Sequence, residues 1–153
     1  MFGFGQQQAA GYWGAQGAQE ALEAAFQQIL GRPIDVPGLE SWGRYLVLQG
    51  GTMREVIRGL GHSDEYRQRF VDPLVPTNNW GAIIRPMYLK FLGRPPENEA
   101  AVVAHSHALV RNGQYQPEGY KQLVNAFVDS DEYLQRWGEQ GIPGFGQHPN
   151  PQR

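Results

Sequence analysis

Cysteine is missing from this 153-residue chain altogether. Its absence excludes a disulfide framework, a thiolate metal site, a cysteine nucleophile and any cofactor joined to the chain through a thioether. A large charge of either sign is missing too. The formal net charge of −2 gives no electrostatic case for nucleic acid or for an anionic membrane surface. No apolar run approaches the length of a membrane span, and the N-terminus lacks the basic-then-apolar layout of a secretory signal, so no direct membrane insertion is expected. Strand signals are almost absent, because no β-branched run alternates over about four residues. Lysine is scarce: two stand against eleven arginines. That bias suits planar, multi-donor contacts at caps and interfaces, or follows from a GC-rich genome.

What the chain does contain is written twice. Phe26-Gln27-Gln28-Ile29-Leu30-Gly31-Arg32-Pro33 returns as Tyr88-Leu89-Lys90-Phe91-Leu92-Gly93-Arg94-Pro95. A second pair follows the first: Ser63-Asp64-Glu65-Tyr66 and Ser130-Asp131-Glu132-Tyr133. Self-similarity of this kind is settled before any other reading. It predicts an all-α fold: a single helical domain over 18–142 made of two tandem pseudo-repeats, 18–71 and 79–138, with extended Gly/Gln/Pro-rich tails at 1–17 and 143–153.

The first helix is expected over Gln19 to Leu30, where Ala18, Leu22, Ala25, Phe26, Ile29 and Leu30 form one stripe. Gly31 ends it and Pro33 prevents its resumption. A second helix starts near Pro37 and stops at Gly50-Gly51. Thr52-Met53-Arg54-Glu55 matches a capping box for a third, and Ser63 caps a short fourth, through Phe70. Pro73 and Pro76 predict a stiff, extended connector over 72–79. In the second half Pro86 is expected to kink its helix or delay its start to about Arg85. The counterpart of the second helix is expected over Glu97 to Asn112, stopped by Gly113. Pro117 to Phe127 matches the third, and Ser130 caps the last. The tails carry aromatics, and Phe2, Phe4, Tyr12, Trp13 and Phe145 are candidate anchors for a partner.

Chemistry finds little support. His105 and His107 lie two apart on a helix, on opposing flanks, and cannot easily share an ion; His105 reads as a packing histidine. Ser63 and Ser130 are explained by capping, no Gly-x-Ser-x-Gly elbow exists, and the glycine-rich stretches lack a phosphate-loop context. The chain is therefore not expected to be an enzyme, and no catalytic, metal or cofactor-binding residue is nominated. Arg32 and Arg94 have two readings: a corner arginine bonding nearby carbonyls or a carboxylate, or a guanidinium offered to a partner.

The order of these stretches resembles the linker domain of phycobilisome linker polypeptides, over about residues 20 to 142. The likeness rests on Ala25-Phe26-Gln27-Gln28-Ile29-Leu30-Gly31-Arg32, Gly50-Gly51-Thr52-Met53-Arg54-Glu55-Val56-Ile57, Tyr88 to Pro95 and Phe127 to Tyr133. The resemblance implies a non-catalytic structural linker that binds within and joins phycobiliprotein α/β hexamers, with other linkers as further partners. It implies a place at the cytoplasmic face of a thylakoid or cell membrane, as part of a phycobilisome. No cofactor would be bound covalently, and bilins carried by partner subunits would be contacted. Trp80, Tyr115 and arginines including Arg32 and Arg94 would then face the ring. Rod linkers of the family are usually basic, which this chain is not, and Pro86 interrupts a helix that is normally continuous. A distant similarity to small helical repeats of secreted bacterial proteins, carried by Gly38-Leu39-Glu40-Ser41-Trp42, supplies the alternative: a helical interaction module of a secreted or surface assembly. Rod, core and junction roles remain open at this point.

Overall fold

The structure, a computed structural model, describes residues 11–147. Helix α1 (Ala15–Leu30) lies at its centre. Its apolar stripe packs on α2 (Val36–Val47) and α3 (Met53–His62), and Ala18, Ala21, Leu22, Ala25 and Ile29 are fully buried. Gly31, at φ 67°, ends α1 in the left-handed conformation a glycine takes without strain. The short helix α4 (Asp64–Tyr66) runs into a π-helical turn, Arg67–Val71. The second half begins with α5 (Gly81–Met87), which passes into another π-helical turn, Tyr88–Leu92, and stops at Gly93 with φ 72°. Helices α6 (Glu99–Ser106), α7 (Gly119–Val128) and α8 (Asp131–Trp137) follow. Helix α3 packs on α7 and α5 on α6, and both halves contribute to one continuous apolar core.

The chain is thus mostly helical, as expected, but several boundaries move. Two short antiparallel hairpins interrupt the helices: β1 (Val110–Arg111) with β2 (Gln114–Tyr115), and β3 (Gly141–Ile142) with β4 (Gly146–Gln147). The first replaces the last turn and a half expected of the helix over Glu97 to Asn112. Asn112 and Gly113 both have positive φ, 52° and 76°, the backbone a two-residue hairpin turn demands and the dipeptide that best supplies it. The connector is a 3₁₀ segment, Asp72–Thr77, rather than an extended strand. Pro73 suits its first turn, and the Thr77 hydroxyl donates to Leu74 O at 2.6 Å. Pro86 neither delays nor ends α5, which begins at Gly81; its fixed φ is helical, and at this position it removes one ladder bond.

The expected tails also shrink. Helix α1 starts at Ala15, ahead of the boundary placed at 17. Pro143 is buried in the second hairpin, inside the segment expected as tail. Trp13 is only 2% exposed. Its indole Nε1 donates to Gln140 Oε1 at 2.8 Å, and the same oxygen accepts from the Met53 backbone N–H at 2.9 Å. The chain before α1 is therefore clasped to the chain after α8 at the start of α3. Burial of about a full indole outweighs the entropy of ordering a few flexible residues.

Candidate functional site

The two doubled stretches meet each other. In the first half, Ser63 Oγ accepts from Tyr66 N–H at 3.1 Å and donates to Leu60 O at 2.7 Å, which starts α4 sharply. That start buries Tyr66 in the core and turns Glu65 towards the corner after α1. There Arg32 grips the Glu65 carboxylate with two parallel bonds, Nε at 2.6 Å and Nη2 at 2.7 Å, and donates Nη1 to Pro33 O at 2.8 Å. Arg69 reaches the same carboxylate at 3.2 Å. In the second half Ser130 makes the same two bonds at 3.1 and 2.7 Å. Arg94 grips Glu132 at 2.6 and 2.7 Å and donates to Pro95 O at 2.9 Å, and Arg136 joins at 2.9 Å.

Each four-residue motif thus divides its labour: serine caps, aspartate stays outside, glutamate braces the corner and tyrosine enters the core. The Arg32 guanidinium, through its hydrogen bonds, holds Glu65 below the usual carboxylate range against the opposing effect of burial. Arg94 does the same for Glu132, which falls to about 2. Both corner arginines are held above the ordinary arginine value by the same bonds. The internal contacts expected of a corner arginine are present at both Arg32 and Arg94. Bidentate pairs of this kind fix geometry as well as charge.

The halves also join along a polar seam at the edge of the core. Gln28 Nε2 donates to Leu89 O and Lys90 O at 3.2 and 3.1 Å, while Lys90 Nζ donates back to Ile29 O at 2.6 Å. Arg58 bonds Asn125 at 2.8 Å and Asp129 at 2.6 Å; Arg54 bonds Val128 O, Asp129 and Glu139. His105 packs against Phe127 and Tyr88, with Nδ1 at 2.9 Å from Ala101 O. Among the described residues no group of three or more potential metal ligands is gathered.

The surface candidates separate on this scaffold. Phe2 and Phe4 lie outside the described residues. Trp13, expected as an anchor for a partner, is consumed by the clasp, and Tyr12 packs edge-on against it at 5.1 Å. Trp80 and Tyr115 are brought together as a parallel stack, 6.0 Å between centroids and 4° between planes. Trp80 also lines a surface groove of about 260 Å³ with Asn78, Arg85, Glu99 and Val103. Phe145 stands 59% exposed at the tip of the second hairpin. Sequence reasoning missed Leu89, 53% exposed beside Gln28, and Val103, 55% exposed on α6. The signal was available: each falls off the apolar stripe of its own helix.

The phycobilisome linker polypeptide family matches residues 13–145. A phycoerythrin-associated rod linker polypeptide from Microchaete diplosiphon is 29% identical over 129 residues, covering 83% of this chain and 48% of that protein. A phycocyanin-associated rod linker polypeptide from Picosynechococcus sp. is 26% identical over 129 residues, 82% of this chain and 41% of its own. The rod-core linker polypeptide CpcG2 from Thermosynechococcus vestitus is 29% identical over 129 residues, 81% of this chain and 47% of its own. The chain thus spans under half the length of each of these relatives. The match begins at Trp13 and closes within the second hairpin, so it takes in the clasp, both braced corners and the seam between them: the chain belongs to the phycobilisome linker polypeptide family.

Proposed function

We propose that the chain is a non-catalytic structural linker that binds within and joins phycobiliprotein rings of a light-harvesting antenna. The observation that carries this reading is the coincidence of the family match, residues 13–145, with the whole folded body from the clasp to the second hairpin. Its partners are phycobiliprotein α/β hexamers and other linkers, and its place is within a phycobilisome on the cytoplasmic face of a thylakoid or cell membrane. Among the described residues no helix is long and apolar enough to cross a membrane.

The chain has no cysteine, so any pigment it touches is carried by a partner subunit. Among the described residues, Phe145 and the Trp80–Tyr115 stack are the aromatic contacts it offers. The chain is also read as two tandem pseudo-repeats, a reading supported by the matched corners Arg32–Glu65–Arg69 and Arg94–Glu132–Arg136. Size-exclusion of a native lysate, read at the bilin absorbance and probed for this chain, tests the assignment. Co-elution with a coloured fraction is expected; migration apart from every pigmented fraction would sink it.

A further inference from the structure

Two cations among the described residues have no carboxylate, and one of them is half-buried. Each arginine and lysine among the described residues lies within ion-pair distance of an acidic group except Lys90 and the exposed Arg111. Lys90 is half-buried. Its Nζ makes one hydrogen bond, to Ile29 O at 2.6 Å, and otherwise faces aromatic rings: Phe70 at 3.4 Å and Tyr66 at 5.0 Å from their centroids. An ammonium has three N–H donors, so two lack a conventional acceptor.

Arg69 converges on the same place. It too lies against the Phe70 ring, 4.9 Å from that centroid, and donates to Leu30 O at 2.6 Å. The carboxylate nearest this group, Glu65, is already gripped by Arg32 and shared with Arg69; Asp35 is 3.9 Å from Arg32 on its far side. The C-terminal carbonyls of α1 offset only about half a charge. Arg32, Arg69 and Lys90 therefore outnumber their local acids, whereas the corresponding corner, Arg94 and Arg136 with Glu132 and Glu97, is balanced.

We propose that Lys90 and Arg69, gathered on the Phe70 ring beside the exposed Leu89, form a docking point for a carboxylate side chain of a partner protein, with an apolar neighbour of that carboxylate resting on Leu89. A carboxylate accepts the unused Lys90 N–H donors and balances the excess charge, and the aromatic floor keeps competing water away from the pair. The state of the free chain agrees with this. Burial, with Arg69 as a like-charged neighbour, pushes the Lys90 ammonium down to about 8, so an incoming anion meets a poorly solvated cation. Gln28 holds the π-helical turn in place by bonding the carbonyls of both Leu89 and Lys90. The inference rests on the linker reading for the identity of the partner but not for the chemistry of the site.

The test uses the full chain labelled with nitrogen-15 lysine. Only two side-chain signals arise, and Lys121→Arg assigns them. Sodium acetate is titrated against sodium chloride at constant ionic strength, followed by purified phycobiliprotein hexamers. Acetate is expected to move the Lys90 signal and raise its titration midpoint while leaving Lys121, already paired with Glu118, in place. Hexamers are expected to do the same, and Lys90→Met to weaken hexamer binding about tenfold. A Lys90 signal that ignores saturating acetate overturns the site, whatever the hexamers do. A Lys90 signal that responds to acetate in a chain binding no hexamer upholds the site and counts against the antenna reading instead. Binding by Lys90→Met equal to wild type, with the Lys90 signal unmoved in the complex, overturns the site while leaving the antenna reading intact. If Lys90→Met fails to fold, the wild-type titration still decides.

Discussion

Glu65 and Glu132 each hold two guanidinium groups, and that sets the acid limb of stability. Their carboxyls titrate lower when folded than unfolded, so the stabilisation is complete above the ordinary value of 4.5 and is lost as pH falls through the folded value, about 2 for Glu132. Replacing Glu132 by Gln is expected to lower stability by about 1 kcal/mol at neutral pH, a figure kept small because the pair is partly exposed. It should also flatten the acid limb of a urea-midpoint profile; an unchanged slope would contradict the brace. Lys90 acts at the other end. A lysine whose folded value is depressed binds its proton more weakly than the unfolded chain does, so stability is expected to rise between about 8 and 10. Above that the buried Tyr66 and Tyr133, held protonated by desolvation, reverse the trend. Lys90→Met should abolish the rise in a pH series of thermal midpoints.

At the scale of elements, the two serine caps carry equal geometry and should carry equal cost. Ser63→Ala and Ser130→Ala are each expected to lose about 1 kcal/mol in denaturant unfolding. A cost confined to one of them would show that the two motifs do different jobs. Much at this scale was legible. The stripe of α1, the Gly31 and Gly93 stops and the Thr52 cap follow from local rules, because each is decided within about one helical turn; the reciprocal half of the expected capping box does not form, since Glu55 pairs with Arg58 and the Thr52 N–H goes to Tyr45 Oη. The first hairpin was misread although its signal was present: Asn112-Gly113 is a two-residue turn dipeptide, but Val110 and Tyr115 flank it too briefly to alternate. The π-helical turns 67–71 and 88–92 were not legible. They carry Phe70 and Lys90, which meet across the seam at 3.4 Å, a tertiary contact that local pattern does not encode.

Across the whole molecule, the contacts made between distant parts of the chain were the least legible. Arg32 and Arg94 are far in sequence from the carboxylates that engage them, so only the fold could show those pairs. The same holds for Trp13, whose glycine-rich surroundings read as a free tail, while its acceptor lies 127 residues away. Trp13→Ala is expected to cost about 3 kcal/mol, in line with other large-to-small core changes, measured by thermal unfolding. A cost below about 1 kcal/mol would restore the indole to the surface.

The clasp also bears on how the protein is made. Trp13 and the first amide of α3 emerge from the ribosome long before Gln140, the residue that satisfies both. Until then α1 to α3 present an uncovered indole and an open edge of core, which a contact 127 residues away in sequence helps to close. Synthesis paused before residue 140 should therefore leave a protease-sensitive chain, and release of the last segment should shut it in one step. Because positions 13 and 140 are neighbours in space, a short peptide joining the ends of the body and a new start in the exposed turn before α5, at Asn78-Asn79, should be tolerated by the same core.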